Sequence, residues 1–153
     1  MRKAIVVAMT TFFYLGYLPL IPGTFGSLAG VFLFYCLKGN LAAQLIMTVI
    51  LLFLGFLFCG EAEKIFKQKD SRHIVIDEVA GMLLSLLFIP ADTKIIILAF
   101  FLFRLFDTLK PYPAWSLQKL PSGAGVMSDD IVAGIYTNLV LQLILRFTSF
   151  KVV

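Results

Sequence analysis

LAAQLIMTVILLFLGFLFCG, residues 41–60, runs twenty residues without a charge. As a helix rising about 1.5 Å per residue it covers about 30 Å, the thickness of a bilayer's hydrocarbon core. The 153-residue chain as a whole is in keeping with it, being 60% hydrophobic and only 14% charged. A soluble domain of this size has too much surface for its volume to hide so many apolar side chains. The apolar runs are continuous and lack the alternation of a lipid-facing strand, which argues against a β-barrel. The expectation is an all-α, multi-pass membrane protein, one domain over 1–153. It should have about four membrane-embedded helices, a short N-terminal interfacial helix, and polar loops gathered on one face.

Upstream, residues 4–20 (AIVVAMTTFFYLGYLPL) are interrupted by Gly16 and Pro19. That predicts a short helix at or dipping into the interface, with Tyr14 and Tyr17 near the headgroups. MRK before an apolar run imitates a signal peptide, but no clear small-residue cleavage site follows. IPGTFGS at 21–27 then opens the run 28–37, and Lys38-Gly39-Asn40 is a tight turn. Downstream, the 41–60 helix is expected to continue through EAEKIFKQK, with a Glu63–Lys67 pair. Runs 79–89 and 95–106 are short for a span and form either a helical hairpin or one broken crossing. The run 131–147 is just long enough to cross.

A hairpin puts Arg2, Lys3, Lys64, Lys67, Lys69, Arg72, Arg104, Lys110 and Lys119 on one face, and Lys38, Lys94, Arg146 and Lys151 on the other. That asymmetry favours the hairpin and marks the loaded face as cytoplasmic. The net charge of +4 comes from scattered basic residues without a nucleic-acid motif, so an anionic membrane is the expected partner and nucleic acid is not. Cys36 and Cys59 sit inside apolar runs and read as small buried hydrophobes.

The longest break in this apolar pattern is 103–134, FRLFDTLKPYPAWSLQKLPSGAGVMSDDIVAG, stiffened by Pro111, Pro113 and Pro121 and read as an ordered loop. With the hairpin, its Asp107, Asp129 and Asp130 emerge on the same face as Asp77 and Glu78. Five carboxylates gathered there repel one another unless protonated or bridged by cations. An all-oxygen set suits Mg²⁺, which polarises a phosphoryl oxygen and activates water. The plainer alternative is helix capping, since Asp77-Glu78 and Asp129-Asp130 each stand where a helix could begin. Capping explains Asp107 poorly, because that residue ends an apolar run, though it could pair with Arg104.

Arg104 and Lys110 are candidate phosphate anchors, as a fork and a point charge. The 22–27 turn offers backbone N–H groups and the Thr24 and Ser27 hydroxyls, or is an ordinary turn with Ser27 as N-cap. Lys119 reads as a snorkelling residue, Tyr112 and Trp115 as an aromatic belt, and His73 as a solvated polar residue. With one histidine and no GxSxG string, a Ser-His-Asp hydrolase has no support. Neither cysteine is followed by an arginine-closed phosphate loop. Pro121-Ser122-Gly123 is followed by Ala124, so the PSGH element of histidine-dependent lipid phosphatases is missing.

Four strings together resemble the bacterial phosphatidylglycerophosphatase A family: GYLPLIPGTFGS (16–27), IVIDEVAGM (74–82), FRLFDTLKPYP (103–113) and GAGVMSDDIVAG (123–134). The departures are small: Gly-Ala-Gly where Gly-Gly-x-Gly is frequent, and Asp70-Ser71 where Asp-Pro is common. The resemblance implies a multi-pass enzyme of the bacterial inner membrane, Mg²⁺-dependent, that removes the terminal phosphate of phosphatidylglycerophosphate to give phosphatidylglycerol. It implies metal binding by Asp77, Glu78, Asp107, Asp129 and Asp130, with Asp107, Asp129 and Asp130 catalytic. Gly23, Thr24, Gly26, Ser27, Arg104 and Lys110 would hold the substrate. Two alternatives stay open: a transporter or scaffold whose carboxylates bind a divalent cation, and a phosphatase for another phosphomonoester. The former predicts acids near the middle of spans rather than at their ends.

Overall fold

The computed structural model describes residues 2–147, and every regular element in that range is helical. Helix α1 (Arg2–Thr10) leads through a short 3₁₀ turn (Leu15–Tyr17) to α2 (Pro22–Cys36). Then come α3 (Leu41–Phe66), α4 (Ile76–Ser85), α5 (Thr93–Leu109), the single turn α6 (Ala114–Leu117) and α7 (Gly123–Phe147). The starts follow local chemistry. Pro22 sits in the first turn of α2, where its missing N–H costs nothing. Asn40 caps α3 by accepting from the Ala43 N–H at 3.0 Å, and Asp92 caps α5 by accepting from Lys94 at 2.8 Å and Ile95 at 3.2 Å.

Helix α4 is the axis of the molecule, with eight of its ten residues buried. It is flanked by α2 and α7, and glycines let the backbones close up. A Cβ on Gly30 of α2 would stand 2.8 Å from the Val79 carbonyl oxygen, and one on Gly134 of α7 would stand 2.7 Å from that of Gly81. Helix α3 packs on both α4 and α7, and its Gly55 and Gly60 admit Met127 and Ser122 at least as closely. Asn138 of α7 closes the other end of α4, donating to the Ser85 carbonyl at 3.0 Å and the Leu87 carbonyl at 2.7 Å. These residues feed one cluster of buried apolar side chains that includes Val79, Met82, Phe103 and Met127.

The hairpin form is the one adopted: α4 and α5 are joined by the turn at 86–92, which brings the start of α4 and the end of α5 to the same end of the molecule. The expected four embedded helices are not all long enough. Among the described residues only α3, with 26 residues, and α7, with 25, have the length and composition to cross a membrane. Helix α2, at 15 residues, reaches about 22 Å, and α4, at ten, about 15 Å. Only 22% of the apolar window of α3 and 28% of that of α7 is buried inside the protein. Core helices of a soluble protein would be mostly covered, so these outward apolar faces support membrane association.

Other expectations need correction. Helix α3 ends at Phe66, because Lys67 turns left-handed at φ 54°. Glu63 therefore accepts from the Asp70 N–H at 2.8 Å instead of pairing with Lys67. Helix α2 begins at Pro22, so Ser27 lies in its second turn and is no N-cap. Much of 103–134 is helix rather than loop, since Gly123 and Gly125 permit tight packing and the helical path continues through them. Cys59 is buried, whereas Cys36 lies exposed at the end of α2. His73 is half-buried, its Nδ1 3.0 Å from the Gly16 carbonyl and its ring stacked on Tyr17. Tyr112 and Trp115 are exposed, and Lys119 lies 3.2 Å over the Trp115 ring. Lys151 lies outside the described residues.

Candidate active site

Four segments meet at one end of the bundle: the start of α2, the start of α4, the end of α5 and the second turn of α7. Asp77 and Glu78 occupy the first turn of α4, and Asp130 faces them from α7. One carboxylate oxygen from each of these three lies within 4.8 Å of the others. Asp77 and Asp130 are only 5% and 3% exposed, so water does little to screen them. Asp77 Oδ1, Glu78 Oε2 and Asp130 Oδ1 are all buried without a hydrogen-bond partner. Buried anionic oxygens without donors are costly, and either a proton or a bound cation relieves that cost.

The other two carboxylates already have cations. Asp107 Oδ2 lies 2.8 Å from Arg104 Nη1, an ion pair across one turn of α5 without the alignment of a hydrogen bond. Asp129 Oδ2 accepts from Lys110 Nζ at 2.6 Å. Adjacent residues on a helix point about 100° apart, which lets Asp129 turn to Lys110 while Asp130 turns to α4. The five acids therefore divide into a group of three without described cationic partners and two that each hold a basic side chain in place.

Gly23 explains how α2 joins the site. A Cβ there would strike Glu78 Oε1 and stand 3.2 Å from Arg104 Nη1. Only hydrogen fits between the backbone of that turn and the two charged groups. Thr24 is the half-buried neighbour. Gly26 instead packs on α4, where a Cβ would lie 3.0 Å from the Val75 carbonyl oxygen. Ser27 is fully buried and donates to the Gly23 carbonyl at 3.0 Å. The structure thus brings Gly23, Arg104 and Lys110 to the carboxylates, with Thr24 beside Gly23 in sequence, and uses Gly26 and Ser27 to hold the turn down.

Electrostatics follow from this burial. Desolvation lifts Asp77 well above the ordinary carboxylate range, and the charge of Glu78 adds to it. Glu78 is also raised by burial, opposed by the adjacent Asp77 carboxyl and by the Arg104 guanidinium. For Lys110, burial works against the charge, but the Asp129 hydrogen bond and charge outweigh it and the net shift is upward. Asp77 and Glu78 do lie in the first turn of α4, where the helix dipole favours acids, but side-chain capping accounts for none of the acids. Val75, not an acidic residue, stands at the cap of α4, and Asp129 and Asp130 come a full turn after α7 begins.

One residue at this end carried no usable signal in the sequence. Asp70 Oδ2 accepts from Gln118 Nε2 at 2.7 Å, tying the 67–72 turn to the segment after α6, and its charge acts on both Lys110 and Asp129. A single aspartate after a charged helix end looks like any solvated turn residue; only the contact with a side chain 48 positions away distinguishes it.

Known proteins resemble this chain over most of its length. The family model described as phosphatidylglycerophosphatase A matches residues 8–145. Phosphatidylglycerophosphatase A of Haemophilus influenzae is 40% identical over 124 residues, covering 78% of this chain and 76% of that protein. Its Escherichia coli namesake is 36% identical over 133 residues, covering 84% and 77%. A Bacteroides thetaiotaomicron protein named "Putative phosphatidylinositol-3-phosphatase" is 33% identical over 143 residues, covering 88% and 90%. No solved structure matches.

Proposed function

The chain belongs to the phosphatidylglycerophosphatase A family, and from that premise we propose that it is a Mg²⁺-dependent phosphatase of the bacterial inner membrane. Its substrate is phosphatidylglycerophosphate, cleaved at the terminal phosphomonoester to phosphatidylglycerol and phosphate. The protein is multi-pass and its site faces the cytoplasm. The observation that carries this reading is the trio Asp77, Glu78 and Asp130, with unpartnered oxygens, set beside Arg104 and Lys110 where apolar helices end. A transporter would place its acids deeper in the spans.

The donor set fits Mg²⁺: hard carboxylate oxygens, several without partners, close enough to share one ion. Asp77, Glu78 and Asp130 would hold it, with Asp107 and Asp129 completing the acidic shell. When bound, Mg²⁺ supplies Lewis-acid polarisation of a phosphoryl oxygen. The protein's own groups do the rest. Arg104 and Lys110, pinned by Asp107 and Asp129, offset charge on the phosphoryl group as it transfers. The backbone at Gly23 and Thr24 approaches the phosphate from α2, because glycine leaves room there. Asp107, Asp129 and Asp130 are the catalytic carboxylates, one of them taking the proton of the attacking water. A headgroup reached at this end leaves the lipid tails among the apolar helices.

Phosphate release by the purified protein in detergent micelles tests the reading, with Mg²⁺ and then with a chelator. Phosphatidylglycerophosphate, phosphatidylinositol 3-phosphate and glycerol 3-phosphate are compared side by side. Release from the first, lost on chelation and restored by Mg²⁺, is expected. The name of the Bacteroides relative gives the second substrate its place, and a preference for it would reassign the substrate. No release from any of the three would end the enzyme reading.

A further inference from the structure

A hollow of about 380 Å³ lies where α3 leaves its uncharged run, beside the residues that open α7. Gly60, Glu63, Lys64, Lys67, Lys69 and Ser122 are among the residues that line it. We propose that it holds the headgroup of an anionic phospholipid, as a second lipid site separate from the acidic one. The inference needs α3 to cross a bilayer and does not need the phosphatase reading.

Charge selects the class of ligand. Three lysines against the single Glu63 leave the lining net positive, and the Glu63 carboxylate already accepts from the Asp70 N–H at 2.8 Å. Among the described residues no carboxylate pairs with Lys64, Lys67 or Lys69, whereas Arg104 and Lys110 of the acidic site each hold an aspartate. Basic groups near the end of a helix also offset its dipole, but that role needs no hollow beside them. Here the hollow comes from Gly60, where a Cβ would strike the Ser122 hydroxyl.

Position selects a lipid over a soluble anion. Phe53, Leu57, Gly60 and Lys64 recur every three or four residues and so share one face of α3. Phe53, Leu57 and Lys64 are all exposed. That face is therefore apolar at Phe53 and Leu57, bare at Gly60, and cationic about 10 Å beyond Leu57. A phospholipid has the same order of chain, glycerol and charged headgroup. A chain laid along Phe53 and Leu57 sets its phosphate at the level of Lys64, and lysines at the end of a span draw anionic lipid. The hollow shares no lining residue with Asp77, Glu78 and Asp130, so a lipid held here leaves the acidic site free.

Native mass spectrometry of the full chain, released from a neutral detergent, reads lipid retention without any turnover. Dioleoyl phosphatidylglycerol and dioleoyl phosphatidylcholine are titrated separately, in chelator, which removes any ion that would draw the first to the acidic trio. Wild-type protein should retain phosphatidylglycerol about tenfold more tightly than phosphatidylcholine. Tenfold corresponds to about 1.4 kcal/mol, a modest demand on three lysines beside an anionic lipid. Lys64→Gln, Lys67→Gln and Lys69→Gln together, all at exposed positions, should abolish that preference. Lys64→Arg, Lys67→Arg and Lys69→Arg together keep the charge and should keep the preference. So should Lys38→Gln with Lys94→Gln, two exposed lysines outside the hollow. No preference in the wild type, a preference that survives the three glutamines, or one lost with the arginines or with the Lys38 and Lys94 pair overturns the proposal. Glycerol 3-phosphate added at the lipid's concentration separates the two sources of such a headgroup. It should displace nothing, and displacement of bound phosphatidylglycerol would give the hollow to a soluble phosphate and overturn the lipid site.

Discussion

Gly23→Ala adds one methyl at a place where three segments touch. The new Cβ would strike Glu78 Oε1 and stand 3.3 Å from Glu78 Cδ and 3.2 Å from Arg104 Nη1. Restoring ordinary van der Waals distance requires the Glu78 carboxylate to retreat by about 1 Å. Overpacking of this kind costs about 1–3 kcal/mol, and alanine's better helix propensity offsets about 1 kcal/mol of it. Stability should therefore fall by no more than about 2 kcal/mol. Function should fall further, because displacing a reacting or ligating group by about 1 Å costs roughly 100-fold in rate. The assay pairs phosphate release in micelles with thermal unfolding and with titration of Mg²⁺. The expected variant is folded, about 100-fold slower, and weaker in its Mg²⁺ response. Gly39 is the control: it sits at φ 83° with nothing within 4 Å of a new Cβ, so Gly39→Ala strains the turn and leaves catalysis alone. A Gly23→Ala protein with wild-type turnover and Mg²⁺ response would refute the placement of α2 against the acids.

Lys110→Met strands Asp129, whose side chain is only 6% exposed, and should cost about 2–3 kcal/mol in detergent unfolding. Adding Asp129→Asn should recover most of that stability but none of the activity; failure of the recovery would deny the pair its structural part. Asn138→Leu removes both bonds that close α4, at 3.0 and 2.7 Å, and should cost about 1–3 kcal/mol with turnover per folded molecule unchanged. In metal-free protein Asp77 keeps a proton that the unfolded chain gives up. Its stabilising contribution is thus full below the unfolded carboxylate pKa and is lost as pH rises through the higher folded value. Melting temperature in chelator should then decline as pH rises above the ordinary carboxylate range, while the increment gained by adding Mg²⁺ grows in the same direction, because the ion competes with that proton. A flat or falling Mg²⁺ increment would contradict this.

The fold was legible where one physical signal was enough. The uncharged run at 41–60 reads as a helix because nothing in it prefers water, and the turn read at Lys38-Gly39-Asn40 is where Asn40 satisfies a first-turn N–H of that helix. Charge asymmetry selected the hairpin that brings Asp77 and Asp107 to the same end. What misled was glycine. In 123–134 it reads as loop punctuation, yet Gly123 and Gly125 are helical because their neighbours, Cys59, Gly60 and the Leu120 carbonyl, come too close for any side chain. Such a reason lies in residues distant along the chain, and local propensity cannot show it. Helix lengths misled similarly, since an apolar run buried by neighbours, as in α4, looks like one facing lipid.

The site shows the same division. Sequence named the five acids and two bases but gave no grounds for treating Asp129 and Asp130 differently. One step along a helix does so, pairing the first with Lys110 and aiming the second at Asp77 and Glu78. Three carboxylates without described cationic partners remain, in surroundings too dry to leave them charged alone, beside two cations already neutralised in part by Asp107 and Asp129. A dianionic phosphate meeting only those two bases would find most of their charge spent. On the proposed reading, a divalent ion on the trio would restore the positive charge such a ligand needs, so ion and substrate should each strengthen the other's binding.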